Sequence, residues 1–244
     1  MTDETQLLGI SNAIVDVLAQ VDERFLKEIG APRGSMTLID KDRAHEIYGM
    51  MNATTEMSGG SVANSIAGFA TLGGAAAYIG QVKKDQLGDV FRTDMQSLGV
   101  DIRLLPAADG SPTARCHVLI DADGQRTMQT YLGACTELGV ADVTTATVGA
   151  PTVILLEGYV WDIAEGPALA TAAIEIARAN GSKVALSLSD SFCVQRHREA
   201  FHGVVKNGVD IVVADEDEVR ELLQTNSYEE TMSALEGYDN LFAM

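Results

Sequence analysis

Three groups of residues in this chain have the types and spacing to do chemistry. Residues 58–74 read Ser-Gly-Gly-Ser-Val-Ala-Asn-Ser-Ile-Ala-Gly-Phe-Ala-Thr-Leu-Gly-Gly. Gly59 and Gly60 end an irregular segment and let the backbone approach a ligand closely. Ser61 stands where a helix N-cap belongs. Asn64 falls in the first turn, off the apolar stripe of Val62, Ile66 and Phe69, and Gly73 and Gly74 close the helix. The free N–H groups of such a helix start are donors for a ligand's oxygens. The pattern is neither GxGxxG nor GxxxxGK(S/T), so it is not the usual dinucleotide turn or phosphate loop. A helix that merely begins after two turn glycines is the plain alternative.

Upstream, Asn12 and Asp16 lie four apart in an apolar stretch, two polar side chains that need partners once buried. Downstream, three short apolar runs end in polar or acidic residues: Glu157, then Ser189 and Asp190, then Asp215 to Glu218. If the runs are parallel strands, these ends share the edge at which open α/β sheets bind ligands, and make a metal or phosphate rim.

The elements that must hold these groups follow from the apolar pattern. Leu7–Ser11 reads as a buried strand, 22–29 and 41–52 as helices, Met36–Ile39 and 75–82 as strands. A helix at 86–98 carries Leu87, Phe91, Met95 and Leu98 on one face and stops at Gly99. Residues 113–132 alternate around Asp123-Gly124, the pattern of a half-exposed antiparallel ribbon with a two-residue turn rather than a central strand. Val153–Leu156, Val184–Leu188 and Ile211–Val213 are strands separated by helices at 166–179 and 195–206, a right-handed parallel α/β sandwich. Ser227 and Glu230 form a capping box for a helix at 228–235, and 241–244 begins another strand.

Composition narrows the function classes. The chain of 244 residues is 46% hydrophobic, enough for one α/β domain with an appendage or for two small domains; a single α/β domain over 1–244, incomplete at its C-terminus, is expected. A net charge of −18 argues against binding a nucleic-acid polymer, though not against one phosphorylated ligand. Cys116, Cys135 and Cys193 show no CxxC pattern and fit reduced thiols. The acidic N-terminus has no signal-peptide character and no apolar run approaches a membrane span, so a cytoplasmic protein is expected.

In order along the chain, Gly9 to Asp16, Gly59-Gly60-Ser61-x-x-Asn64, Ile79-Gly80 with Asp85 and Gly88, and Val209–Val213 followed by Asp215-Glu216-Asp217-Glu218 resemble the ribokinase-like (PfkB) carbohydrate kinase family. The Gly-Gly-Ser form is similar to its adenosine kinase branch. The resemblance implies a ribokinase-like three-layer α/β/α sandwich with a mostly parallel central sheet and a small β lid, contributed by about 17–39 and 113–132. It implies ATP-dependent transfer of the γ-phosphate to the primary hydroxyl of a sugar or nucleoside, with ATP and Mg²⁺ as cofactors, in a monomer or homodimer. Asp16 and Asn64 would clasp a vicinal diol, with Asn12, Ser61 and the backbone of Gly59 and Gly60 around them. Arg126 would be a lid contact to the transferred phosphoryl. Asp215 and Glu218 would serve the nucleotide, Glu218 holding Mg²⁺ through water.

Two departures stand out. Asp215 replaces the family's usual Asn, and the family's Gly-Ala-Gly-Asp motif, which carries the catalytic aspartate, is absent; its expected place is beyond residue 244. No catalytic base is therefore assigned, and the competing readings are a catalytically inactive sugar- or nucleoside-binding fragment and a ribokinase- or fructokinase-type sugar kinase. Simpler roles stay open for single residues. Asp16 would be a cap or surface carboxylate, Arg126 a solvated hairpin arginine, and Glu218 an acidic first turn complementing the helix dipole. The four histidines show no metal spacing, and Arg196-His197-Arg198 reads as a solvent-facing cluster. Tyr159 and Trp161 follow Gly158 at a strand end, where they could line a pocket or pack in the core or on the surface.

Overall fold

A computed structural model describes residues 5–243. The extreme acidic N-terminus, Met1–Glu4, and Met244, the last residue of the final expected strand, lie outside the described residues. The chain opens with β1 (Leu7–Ile10), β2 (Ile14–Gln20), α1 (Glu23–Glu28), β3 (Met36–Leu38), α2 (Lys41–Met50) and β4 (Thr55–Gly59). Next come α3 (Ser61–Thr71), β5 (Ala76–Ile79), α4 (Gln86–Ser97), β6 (Asp101–Ile102), β7 (Ala114–Ile120), β8 (Arg126–Tyr131) and the single turn α5 (Thr145–Val148). The remainder alternates as β9 (Val153–Glu157), α6 (Gly166–Asn180), β10 (Lys183–Ser187), α7 (Ser191–Asn207), β11 (Ile211–Val213), α8 (Glu216–Leu223), α9 (Tyr228–Leu235) and β12 (Leu241–Ala243).

Seven of the described strands form one sheet in the order β12-β11-β10-β9-β1-β5-β6, every pair parallel. Alternate side chains feed two cores, as the strand pleat requires. Leu8, Ile10, Ile154, Leu156 and Leu186 face a core under α6, α7 and α8. Leu7, Tyr78 and Leu155 turn the other way, toward α3 and α4. The result is the expected three-layer sandwich. Each fully buried Leu or Ile contributes on the order of 2 kcal/mol.

The second sheet has the order β3-β8-β7-β2-β4, with β2 parallel to β7 and antiparallel to β4. It overturns several local expectations. Thr55–Gly59 is a strand rather than irregular chain, because it completes the free edge of β2. β7 is the middle strand, not half of an exposed ribbon; β2 pairs its outer edge, and both His117 and Leu119 are fully buried. The β7–β8 connection is wider than a two-residue turn. Asp121 N–H donates to Gln125 O at 3.0 Å, and the Asp121 carboxylate accepts from the N–H groups of Asp123 and Gln125 at 2.9 and 3.0 Å. Those bonds fix a three-residue loop, 122–124, with Gly124 at φ +79°.

Smaller corrections concern helix ends. Leu98 is 40% exposed because it caps α4 instead of continuing the buried face of Leu87, Phe91 and Met95. Phe69 is only half-buried, so the core stripe of α3 is Val62, Ala63 and Ile66. At α9 only half of the capping box forms: Ser227 accepts from Glu230 N–H, while the Glu230 carboxylate accepts from Asn226 N–H. Arg196-His197-Arg198 is not a free solvent-facing cluster; Arg196 and His197 engage Asp162, and Arg198 pairs with Glu221. Trp161 is core, packed edge-to-face on Phe201 with centroids 5.2 Å apart.

Candidate functional site

The two sheets meet where β1 passes into β2. β1 lies between β9 and β5, so the residues after Ile10 emerge at the carboxyl edge of the parallel sheet. Asn12 sits in that junction, and its backbone N–H donates to Glu157 Oε2 at 3.0 Å. Its side-chain Oδ1 is buried with no hydrogen-bond partner among the described residues. Asp16 follows on β2, level with Met57 on β4 and Cys116 on β7.

The glycines after β4 are required by this packing. A Cβ on Gly59 would collide with the carboxyl group of Asp16. Gly60 takes φ +103°, ψ 148°, and a Cβ there would stand 2.9 Å from the carbonyl oxygen of Asn12. Gly60, not Ser61, is therefore the N-cap of α3; Ser61 is the first helical residue and makes no side-chain cap. Without that cap, the Val62 N–H finds its acceptor across the molecule, in Glu157 Oε1 at 3.3 Å. Asn64 is exposed in the first turn of α3, its side chain without a protein partner among the described residues.

Glu157 is the residue that the sequence placed on a rim but not in this site. Its carboxylate joins the end of β9 to the start of α3 and to Asn12, and it is 1% exposed. Burial pushes its pKa up to about 7, against the opposing pull of the two N–H donors. The signal that could have found it is topological: a parallel neighbour of β1 must end beside Ser11 and Asn12.

Asp16 has no hydrogen-bond donor from the described residues. Burial raises its pKa to about 6, and the positive charge of Arg126 pulls the other way. Arg126 is exposed on β8, four residues before Thr130, which stands level with Cys116 and hence on the Asp16 face. The carboxylate and the cation thus share one face of the second sheet, and Arg126 makes no ion pair among the described residues. Across that face runs a row of paired positions: Met57, Asp16, Cys116, Thr130 and Leu38. Cys116 and Thr130 are buried, whereas Met57 and Leu38 are 46% and 60% exposed. A half-buried carboxylate shares its row with two exposed apolar ends.

The other acidic strand ends are engaged differently. Asp190 caps α7, accepting from Cys193 N–H at 2.6 Å and from the Tyr159 hydroxyl. Asp215 caps α8 in a reciprocal box: its Oδ1 accepts from Glu218 N–H at 2.8 Å, and Glu218 Oε2 accepts from Asp215 N–H at 3.1 Å. Burial raises the pKa of Glu218, and the nearby charges of Asp215 and Asp190 add to the rise. Asp85 and Gly88 are structural as well: Asp85 caps α4 through Gly88 N–H at 2.9 Å and takes Thr113 N–H at 2.9 Å, tying α4 to β7.

Comparison with known proteins places the chain in a family and gives solved structures of the same fold. A family model described as pfkB family carbohydrate kinase matches residues 35–242. The guanosine-inosine kinase of Escherichia coli (strain K12) is 24% identical over 232 residues, covering 91% of this chain and 53% of that protein. The chain thus spans about half the length of the curated relatives first matched. An adenosine kinase from Sinorhizobium meliloti superposes with a TM-score of 0.86 at 43% identity, over 95% of this chain and 71% of that one. A probable sugar kinase protein from Rhizobium etli CFN 42 gives 0.86 at 41%, over 96% and 71%.

Proposed function

The chain belongs to the pfkB family of carbohydrate kinases, and on that premise we propose that it holds the acceptor site of an ATP-dependent kinase for a purine nucleoside. The observation that carries this reading is Asp16: a half-buried carboxylate with no donor among the described residues, in a row with Met57, Cys116, Thr130 and Leu38 whose two apolar ends, Met57 and Leu38, are open. A carboxylate can accept from both hydroxyls of a vicinal diol, and the unpartnered Asn12 Oδ1 accepts a further donor. Ser61 and Asn64, on the first turn of α3, supply the polar rim, and the side-chain-free backbone of Gly59 and Gly60 lets the sugar approach. A free sugar leaves those apolar ends wet, whereas the base of a nucleoside covers them; burying such surface is worth about 25 cal/mol per Å². This favours a nucleoside over ribose or fructose, and the adenosine and guanosine-inosine kinases among the relatives support the same choice.

In this reading the second sheet acts as the lid, larger than 17–39 and 113–132 because β4 is part of it. Arg126, which shares the Asp16 face, approaches the transferred phosphoryl once water is excluded. Mg²⁺ fits the head of α8: Asp190, Asp215 and Glu218 crowd like charges there, which a hydrated cation relieves, and the box leaves one oxygen of Asp215 and one of Glu218 free. Bound with ATP, the ion supplies charge neutralisation during phosphoryl transfer. No residue of this chain is assigned as the base. Buried, unpaired thiols at all three cysteines fit a reducing cytoplasm, and no helix among the described residues is long and apolar enough to cross a membrane.

Calorimetry with adenosine, inosine, guanosine and ribose tests the acceptor assignment. A purine nucleoside is expected to bind at least tenfold more tightly than ribose. Equal affinities, or binding of ribose alone, would overturn it. A coupled assay with ATP then separates transfer from binding.

A further inference from the structure

A second cluster of chemically capable side chains converges where the Gly158–Asp162 segment meets the first turns of α7. Ligand atoms of Asp162, Cys193 and His197 all lie within 4.8 Å of one another. Cys193 and His197 are four apart on one helix and so share a face. The helix is kinked at His197, with φ −118° and ψ 18°, and the imidazole Nε2 lies 2.6 Å from Asp162 Oδ1. Cys193 is fully buried, and its Sγ has no hydrogen-bond partner among the described residues.

An ion pair alone does not call for this arrangement. Arg196 already holds both oxygens of Asp162, its Nε at 3.1 Å and a terminal nitrogen at 2.6 Å. That pair needs neither a buried thiol pointing at it nor an imidazole brought in by a break in the helix. The three donors (one sulfur, one nitrogen, one oxygen) form a borderline-soft set, unsuited to Mg²⁺ or Ca²⁺ and matched to Zn²⁺.

We propose that Asp162, Cys193 and His197 form a Zn²⁺ site outside the acceptor site, with the fourth tetrahedral position left to water. Zinc–ligand bonds of about 2.0–2.3 Å put tetrahedral donors roughly 3.3–3.7 Å apart. The imidazole and carboxylate, 2.6 Å apart, need to part by about 1 Å, and the thiol, no more than 4.8 Å from either, to close by at most about 1 Å. Arg196 then serves as the partner that orients the ligating carboxylate. As the sulfur–zinc bond forms, the Cys193 S–H bond breaks and its proton leaves to solvent; the imidazole binds neutral through Nε2, and no electrons are exchanged.

The test uses the intact chain, stripped with a chelator and titrated with Co²⁺ and then Zn²⁺. One equivalent of Co²⁺ is expected to give a thiolate-to-cobalt charge-transfer band in the near ultraviolet together with tetrahedral d–d bands, both bleached by one equivalent of Zn²⁺. Cys193→Ser is expected to abolish the charge-transfer band, and His197→Gln to weaken binding at least tenfold. If either variant fails to fold, the wild-type spectrum still decides. Absence of the sulfur band in the wild type, its survival in a folded Cys193→Ser, or Zn²⁺ binding weaker than millimolar would each reduce the cluster to an ion pair and overturn the site.

Discussion

Asp16 on β2 and the Asp215–Glu218 pair at the head of α8 are both carboxylate groups with raised or crowded charge, yet they are held in opposite ways. Each member of the pair accepts the other's backbone N–H, so their first role is to start a helix. Asp16 is half-buried on the second sheet, pressed against Gly59, and accepts from nothing among the described residues. A carboxylate whose neighbours already satisfy it is explained by the fold; one left without donors is what the proposed acceptor would satisfy. The comparison separates the binding of the acceptor from the stability of the scaffold, and substitutions on the two sides should move different observables.

The largest effect is expected at Gly59. Gly59→Ala drives a methyl group into the Asp16 carboxyl, an overpacking that costs about 1–3 kcal/mol. Chemical denaturation should show that loss, and calorimetry should show nucleoside binding gone. Glu157→Gln comes next. Asn12 and Val62 N–H donate to different oxygens of Glu157, so replacing one oxygen by an amide NH₂ leaves one of the two N–H groups facing a donor, and stability at pH 6 should fall by about 1–3 kcal/mol.

Glu157 also sets a pH signature. Its pKa rises from an ordinary carboxylate value to about 7 on folding, so the folded state binds the extra proton and stability falls as pH rises from about 4.5 toward 7. The slope of the denaturation midpoint against pH should flatten in Glu157→Gln. An unchanged slope would remove Glu157 as its source.

On the other side of the comparison, Asp215→Ala removes a cap and should cost about 1 kcal/mol of stability while leaving nucleoside affinity unchanged. Ser61→Ala should change stability by less than about 0.5 kcal/mol, since Ser61 is not the cap its sequence position suggests. A cost near 1 kcal/mol there would restore Ser61 as the cap and contradict the role given to Gly60.

Much of this is legible in the sequence. The β9–β11 strands and their helices declare themselves through continuous apolar runs and caps, which are local signals. Asp16, Gly59 and Gly60 stood out because a carboxylate and two glycines are anomalous in apolar surroundings. What escaped was set at long range. Whether Ser61 or Gly60 caps α3 depends on Glu157, nearly a hundred residues away in sequence, offering its oxygen to Val62. β7 reads as a half-exposed strand because the pattern within one hairpin cannot show that β2 pairs its far edge. The Cys193–His197 spacing of four is local, but a survey of the histidines alone passes over it, and Asp162 joins the two only because the fold sets the end of the Gly158–Asp162 segment beside the start of α7.

The most direct test of the account is the pH dependence of purine nucleoside affinity in the wild type and in Asp16→Asn. With the empty-site pKa of Asp16 near 6, the charged form that accepts from the diol is lost as pH drops, so affinity should fall below about pH 6 and level off above 7. Asp16→Asn should bind on the order of 100-fold more weakly at pH 7.5, as loss of charge-assisted hydrogen bonds predicts, with most of that pH dependence gone. A wild-type affinity that ignores pH across this range, together with an Asp16→Asn variant that binds as well as the wild type, would contradict the claim that this carboxylate holds the sugar.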